Sequence, residues 1–217
     1  KRWIPNYSES YEGRYFNPGW DAPVFVSWEE DAVPMGSRIL FSCTNVENLV
    51  VGAEICEDLC VLNPPSIEHA SAGATVIVNC SASDEITGKG EYRRNLVSGQ
   101  SARLLCAYLY ANAGDGESSQ DLVFGGQNMI AENGTVLAES ARFETGLLCA
   151  DVDLGRLECG RRRMTTYQTQ GRGGYLFVDF TLERRFSPLR RTVDPSPFVP
   201  HDEEGRSRRC EEILSIQ

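Results

Sequence analysis

The chain has 217 residues, enough for one sizeable hydrophobic core with an appendage, and sets 21 basic residues against 31 acidic ones for a formal net charge of −10. That balance, with no long basic stripe interleaved with aromatics, argues against a nucleic-acid partner, and no apolar run reaches the length needed to span a bilayer. Because it opens on Lys1 and stops at Gln217 without a closing signal, the chain is expected to be a segment of a longer protein.

In chain order, residues 1–20 mix aromatics, Pro5, Pro18 and Gly19 with charges, which predicts an irregular stretch with one helical turn around 8–14. Residues 22–28 and 38–43 have strand composition, separated by an acidic turn at Glu29-Glu30-Asp31 and a break at Pro34-Met35-Gly36. The apolar run 49–55 predicts a buried strand that stops at Cys56, followed by a loop broken at Pro64-Pro65 and a short helix over 66–72 with Ser66 as its cap. A second apolar strand is expected at 74–79 and a helix at 91–105, so these two strands should pair in parallel under helices. Then come a strand at 107–113, a hairpin of 127–131 and 136–138 turning on Asn133-Gly134, and a strand at 147–152. A helix over 153–163, acidic at its start and basic at its end, and a strand at 175–180 complete the series. After Arg185, Pro188, Pro195, Pro197 and Pro200 describe an extended connector, with a further helix over 206–214. Periodicity alone defines an α/β class.

The eight cysteines are Cys43, Cys56, Cys60, Cys80, Cys106, Cys149, Cys159 and Cys210. Cys43, Cys80, Cys106 and Cys149 fall in apolar strand-like runs, which fits reduced thiols of a cytoplasmic protein better than a disulfide framework. Cys56 and Cys60 form the one close pair, and with His69 and His201 the chain offers no second pair to close a zinc site, so no metal is expected.

The chemistry concentrates in 52–66, G-A-E-I-C-E-D-L-C-V-L-N-P-P-S. A cysteine on the turn that ends a buried strand presents its sulfur to a cleft while the following N–H groups aim at the same point, which suits a nucleophile with an oxyanion hole. The alternative is a small apolar residue closing a core strand. A cysteine–histidine pair is the competing mechanism, but His201 lies in the connector and His69 falls in a surface helix where a solvated role is expected. Asp58 is expected to hold the turn by accepting backbone N–H bonds.

This segment is very similar to the nucleophile segment of the glutamine-hydrolysing domain of glutamine-dependent NAD synthetases, in the nitrilase (carbon–nitrogen hydrolase) superfamily. The resemblance extends to Lys1-Arg2-Trp3-Ile4-Pro5-Asn6-Tyr7 with Tyr11-Glu12-x-Arg14, to Asn79-Cys80-Ser81-Ala82-Ser83 with Gly88-Lys89 and Tyr92-Arg93-Arg94, and to 108–118 with 122–126. It implies a four-layer α-β-β-α sandwich over 1–185 truncated at its N-terminus, with 186–217 leading to an absent synthetase domain of the same chain. Cys56 is then the nucleophile, Lys1 and the Glu57 N–H stabilise the oxyanion, and Glu12 positions the lysine. Tyr7, Glu57 and Ser83 meet the α groups of L-glutamine. The family's first glutamate, its general base, is expected upstream of Lys1, which would leave the segment impaired. No cofactor is expected here; ATP and Mg belong to the missing domain, and self-association is implied.

Other readings stand beside these. Lys1 could be a solvated terminal residue, Glu12 a surface glutamate, Tyr7 a packing residue, and Ser83 a cap for the turn before Asp84. Cys60 replaces the family's usual aromatic residue, which loosens the expected glutamine pocket. A stand-alone amidase acting on another small amide, or a non-catalytic oligomerising module, are the competing functions.

Overall fold

Short runs rich in β-branched residues, too brief for helices and too apolar for surface strands, need neighbours on both edges and cover on both faces. In the computed structural model, which describes Lys1–Gln217 apart from Glu9, Ser118, Ser119, Gln120, Gln168 and Gln170, the central strands find both. The strands are β1 Val24–Trp28, β2 Asp31–Met35, β3 Ile39–Cys43, β4 Val50–Ile55, β5 Val76–Ser81, β6 Ala107–Asn112, β7 Met129–Glu132, β8 Thr135–Glu139 and β9 Leu176–Phe180. Strands β3 to β9 form one seven-stranded mixed sheet in the order β8-β7-β6-β5-β4-β3-β9, and β1 and β2 pair as a separate hairpin. The α/β class stands, with a large mixed sheet carrying helices on its faces and a small second sheet of two strands.

Three neighbouring strands, β4, β5 and β6, run parallel, so their C-terminal ends emerge on one side. Two helices make the crossovers, α1 Pro65–Ser71 and α2 Lys89–Leu104. They pack on the face carrying Leu40, Ile77, Tyr108 and Met129, while a smaller cluster of Val76, Ala107 and Leu157 lies on the other, the last residue from α3 Leu154–Arg163. Gly52 in β4 is there for space. A Cβ on it would meet the His69 Cβ and the Leu40 Cδ2 at 3.1 Å, so glycine lets α1 approach the sheet. At the other edge Asn133 and Gly134 both take positive φ, 45° and 85°, and close the β7–β8 hairpin as expected. The second unit, Phe186–Gln217, is an extended stretch followed by α4 Glu203–Ile216, whose first turn is capped by Asp202 accepting from the Gly205 N–H at 2.6 Å.

The structure corrects several local expectations. Residues 31–35, expected as turn and break, form β2; Pro34 is tolerated because each strand of a two-stranded ribbon has a free edge. Residues 147–152 form no strand among the described residues: Leu147 is 92% exposed, and an apolar run without a hydrogen-bonding neighbour does not become one, so Cys149 is exposed as well. Ser66 does not cap α1. Pro65 opens the helix with no N–H to satisfy, and Ser66 is buried one position inside. Ser118, part of one quoted segment, lies outside the described residues.

His69 is the largest correction. It is 1% exposed, not solvated, because α1 turns it onto Gly52. Its Nε2 lies 3.1 Å from the Ala53 carbonyl, which can only accept, so Nε2 carries the proton and Nδ1 accepts from the Tyr175 hydroxyl at 2.9 Å. Burial, which outweighs the bond to Ala53, lowers the His69 pKa to about 4. Its folded-state value lies below the ordinary 6.5, so its contribution to stability is complete above pH 6.5 and is lost as pH falls toward 4. Denaturant midpoints measured between these limits are expected to decline for the parent chain and to flatten in His69→Gln; equal slopes in both would contradict this assignment.

Candidate active site

The parallel strands deliver three chain segments to one point, the carboxyl ends of β4, β5 and β6, where α/β sheets open their crevices. Strand β4 ends in a 3₁₀ turn over Cys56–Leu59, and Cys56 takes φ +52°, a left-handed backbone that a non-glycine residue holds only when its surroundings enforce it. Asp58, 2% exposed, provides much of that enforcement. One carboxylate oxygen accepts from the N–H groups of Arg2 and Trp3 at 3.0 and 2.8 Å, and the other accepts from the Ile55 N–H at 3.0 Å. This is the expected role of Asp58, with a consequence unseen in the sequence: the first residues of the chain are tied to the turn.

That tie brings Lys1 to the site. Its ammonium pairs with the Glu12 carboxylate, which is carried on a short 3₁₀ turn, Glu12–Arg14, and Gly19 closes the stretch by donating its N–H to the Lys1 carbonyl at 2.9 Å. A cavity of about 200 Å³ opens beside these groups. Cys56, Glu57, Tyr7, Ser83 and Glu12 all stand on its wall, so five of the six residues singled out in the sequence share one cleft. Lys1 is not itself a wall residue; it joins the group through Glu12.

Each wall residue is held by a bond of its own. The Tyr7 hydroxyl donates to Glu57 Oε1 at 2.6 Å, and that carboxylate pushes the Tyr7 phenol well above its usual range. Ser83 donates its N–H to Asn112 Oδ1 at 2.9 Å and accepts from Arg93 on its hydroxyl at 3.3 Å. Arg93 is 3% exposed and fully engaged: it also donates to Gln127 at 3.0 Å and to the Asp84 carbonyl at 3.0 Å, and pairs with Glu85. Cys60 is on the wall too, where desolvation first and the Glu57 carboxylate second push its thiol up to about 12 and keep it protonated at neutral pH.

Sequence reasoning assigned no role to three wall residues. Lys89, paired with Asp84, adds a cation to the cleft; Tyr92 and Tyr110 add aromatic surface. Lys89 and Tyr92 sit in segments already quoted for the resemblance, but α2 had to be placed before its first turn could be seen to face the cavity. Among the described residues no group of three or more His, Cys, Asp or Glu is arranged to hold a metal ion, and no helix is long and apolar enough to cross a membrane.

With a cysteine in a left-handed turn at the end of β4 and a crevice at the ends of the parallel strands, the chain belongs to the carbon-nitrogen hydrolase family, whose model matches residues 5–162. The glutamine-dependent NAD(+) synthetase of Mycobacterium leprae is 41% identical over 227 residues, covering 100% of this chain and 33% of that protein. The human glutamine-dependent NAD(+) synthetase is 26% identical over 220 residues, covering 96% and 30%. The chain therefore spans about a third of the length of these curated relatives. Among solved structures, a glutamine-dependent NAD(+) synthetase from Cytophaga hutchinsonii superposes with a TM-score of 0.55 at 31% identity, covering 65% of this chain and 22% of the other. A carbon-nitrogen hydrolase from Helicobacter pylori G27 shares the fold with a TM-score of 0.53 at 19% identity, covering 75% and 54%.

Asp58→Ala leaves three N–H groups without their acceptor and is expected to lower the unfolding free energy by about 2–3 kcal/mol. Hydrogen exchange should show the first seven residues losing protection before the sheet does. Unchanged protection there would mean that the N-terminal stretch is held by something else.

Proposed function

We propose that this chain is the glutamine-hydrolysing part of a glutamine-dependent NAD synthetase. The observation that carries it is the convergence of Cys56, Glu57, Tyr7, Ser83 and Glu12 on one cavity, with Lys1 bound to Glu12. The likeness to synthetases over the full chain supports the particular substrate.

In this reading the α-ammonium of L-glutamine lies against the Glu57 carboxylate, which Tyr7 orients, and Ser83 contributes a hydroxyl to the α groups. The side-chain amide then faces the Cys56 sulfur. Attack of the thiolate on the amide carbon forms a tetrahedral intermediate whose oxyanion meets the Glu57 N–H and the Lys1 ammonium. Collapse breaks the carbon–nitrogen bond, the nitrogen leaves as ammonia after taking up a proton, and a thioester remains on Cys56. Water cleaves the thioester, releasing glutamate. In this reading the proton acceptor is the family's first glutamate. The ammonia serves ATP-dependent amidation of deamido-NAD on a synthetase domain, which would hold ATP and magnesium. The residues 186–217 are the connector toward that domain. A cytoplasmic setting accords with eight free cysteines, and self-association accompanies the reading.

In the full-length polypeptide, Cys56→Ala should lower glutamine-dependent NAD formation by about 10³-fold or more while leaving formation from free ammonia intact. Glutamine-dependent synthesis that survives the substitution would refute the assignment.

A further inference from the structure

The nucleophile's backbone is anchored by a polar chain that the mechanism above does not use. The Cys56 N–H points away from the cavity's chemistry and donates to Asn79 Oδ1 at 2.9 Å, an oxygen that also accepts from the Ser81 hydroxyl at 2.9 Å. With its oxygen committed to two donors, the Asn79 amide must turn its nitrogen the other way, and Nδ2 donates to the Tyr108 hydroxyl oxygen at 3.0 Å. Tyr108 therefore sends its own proton elsewhere, to Glu54 Oε1. The second Glu54 oxygen accepts from the Ser66 N–H at 2.9 Å, and Ser66 in turn accepts from Gln100 at 3.0 Å. All three side chains are buried, with Glu54 at 3%, Asn79 at 1% and Tyr108 at 0% exposure, so water does not compete for any link.

The polarity of this chain is set at the Cys56 end. The Cys56 N–H requires the Asn79 oxygen, which turns the Asn79 nitrogen toward the Tyr108 hydroxyl oxygen, and the Tyr108 proton goes on to Glu54. Three strands contribute, β4 through Glu54, β5 through Asn79 and β6 through Tyr108. The route runs through the sheet to Cys56, whose backbone sits at φ +52°.

We propose that Glu54, Tyr108 and Asn79 are positioning residues for the Cys56 nucleophile: they hold its peptide N–H inward, fix the left-handed turn and thereby set where the sulfur stands. A corollary is that the Cys56 N–H is unavailable to an oxyanion, leaving the next N–H, that of Glu57, for that role. The assignment deepens the glutaminase reading and rests on it for its kinetic consequence, while its structural consequence stands without it.

The test uses the full-length polypeptide with two near-isosteric changes. In Glu54→Gln the side chain presents one donor and one acceptor, so in one orientation the Ser66 N–H loses its acceptor and in the other the Tyr108 hydroxyl proton does. Tyr108→Phe removes the middle link. Both are expected to lower kcat for glutamine hydrolysis by about ten- to a hundredfold with KM within about threefold, since the groups that hold the substrate are elsewhere. Amide hydrogen exchange should rise at Cys56 while β5 and β6 keep their protection, a pattern that general loosening of the core does not produce. If Tyr108→Phe fails to fold, Asn79→Asp, which keeps the acceptor for Cys56 but cannot donate to Tyr108, replaces it as the second variant beside Glu54→Gln. Parent-like kcat and parent-like Cys56 exchange in the folded variants overturn the proposal. A parent protein that shows no Cys56-dependent glutamine hydrolysis instead overturns the glutaminase reading, and the exchange result then decides the positioning role separately.

Discussion

The grip of the Asp58 carboxylate on three backbone N–H groups is the constraint on which the site depends. A carboxylate is an acceptor, and burial removes water as an alternative, so the N–H groups of Arg2, Trp3 and Ile55 have a single fixed partner. Two of these donors come from a stretch with little regular structure, which has few other reasons to stay in place. Through them a segment remote in sequence becomes part of the cleft, bringing the Lys1–Glu12 pair and Tyr7 with it. The same carboxylate closes back on Ile55, so the turn that raises Cys56 and the segment that supplies its neighbours share a single fixing point.

The sheet supplies what that contact cannot, a rigid base. Parallel β4, β5 and β6 end at one level, and the buried bonds between their side chains determine the orientation of each group at the rim. Ser83 illustrates the principle: its hydroxyl reaches the cavity wall already engaged by Arg93, and its main chain is held through Asn112. A polar pocket assembled in this way loses little rotational freedom when a ligand arrives. The burial of Arg93 is tolerated because its guanidinium finds Gln127, Ser83, the Asp84 carbonyl and Glu85 together.

Much of this was legible in the residues. The apolar run before Cys56, the proline pair after it and the Asn133-Gly134 turn are local signals with local physical causes, and the structure places strand, loop and hairpin where they point. The cysteine, the two glutamates, Tyr7 and Ser83 carried a family pattern, and their meeting on one cavity follows from it. What could not be read was whatever depends on a partner. Residues 147–152 are as apolar as a strand but have none beside them. His69 is polar and lies on a short helix, and only the gap left by Gly52 explains why it is buried. Glu54 is buried in β4 while its apolar neighbours Ala53 and Ile55 are exposed, the reverse of what their polarity suggests, and nothing in its spacing indicates Tyr108, which lies 54 residues away.

The last sheet strand carries a kinetic consequence. Strand β3 is paired on one side with β4, which follows soon after it, and on the other with β9 in parallel, from Ile39 against Leu176 to Cys43 against Phe180. The contacts just beyond, from Thr44 and Asn45 to Phe180 and Leu182, span 136 and 137 residues. Loop closure over that distance is costly, and contacts of such separation form late. During synthesis β3, which carries Phe41, must therefore wait as an open sheet edge until residues 176–180 emerge. A ribosome pausing before that point would hold the chain in its most adhesive state.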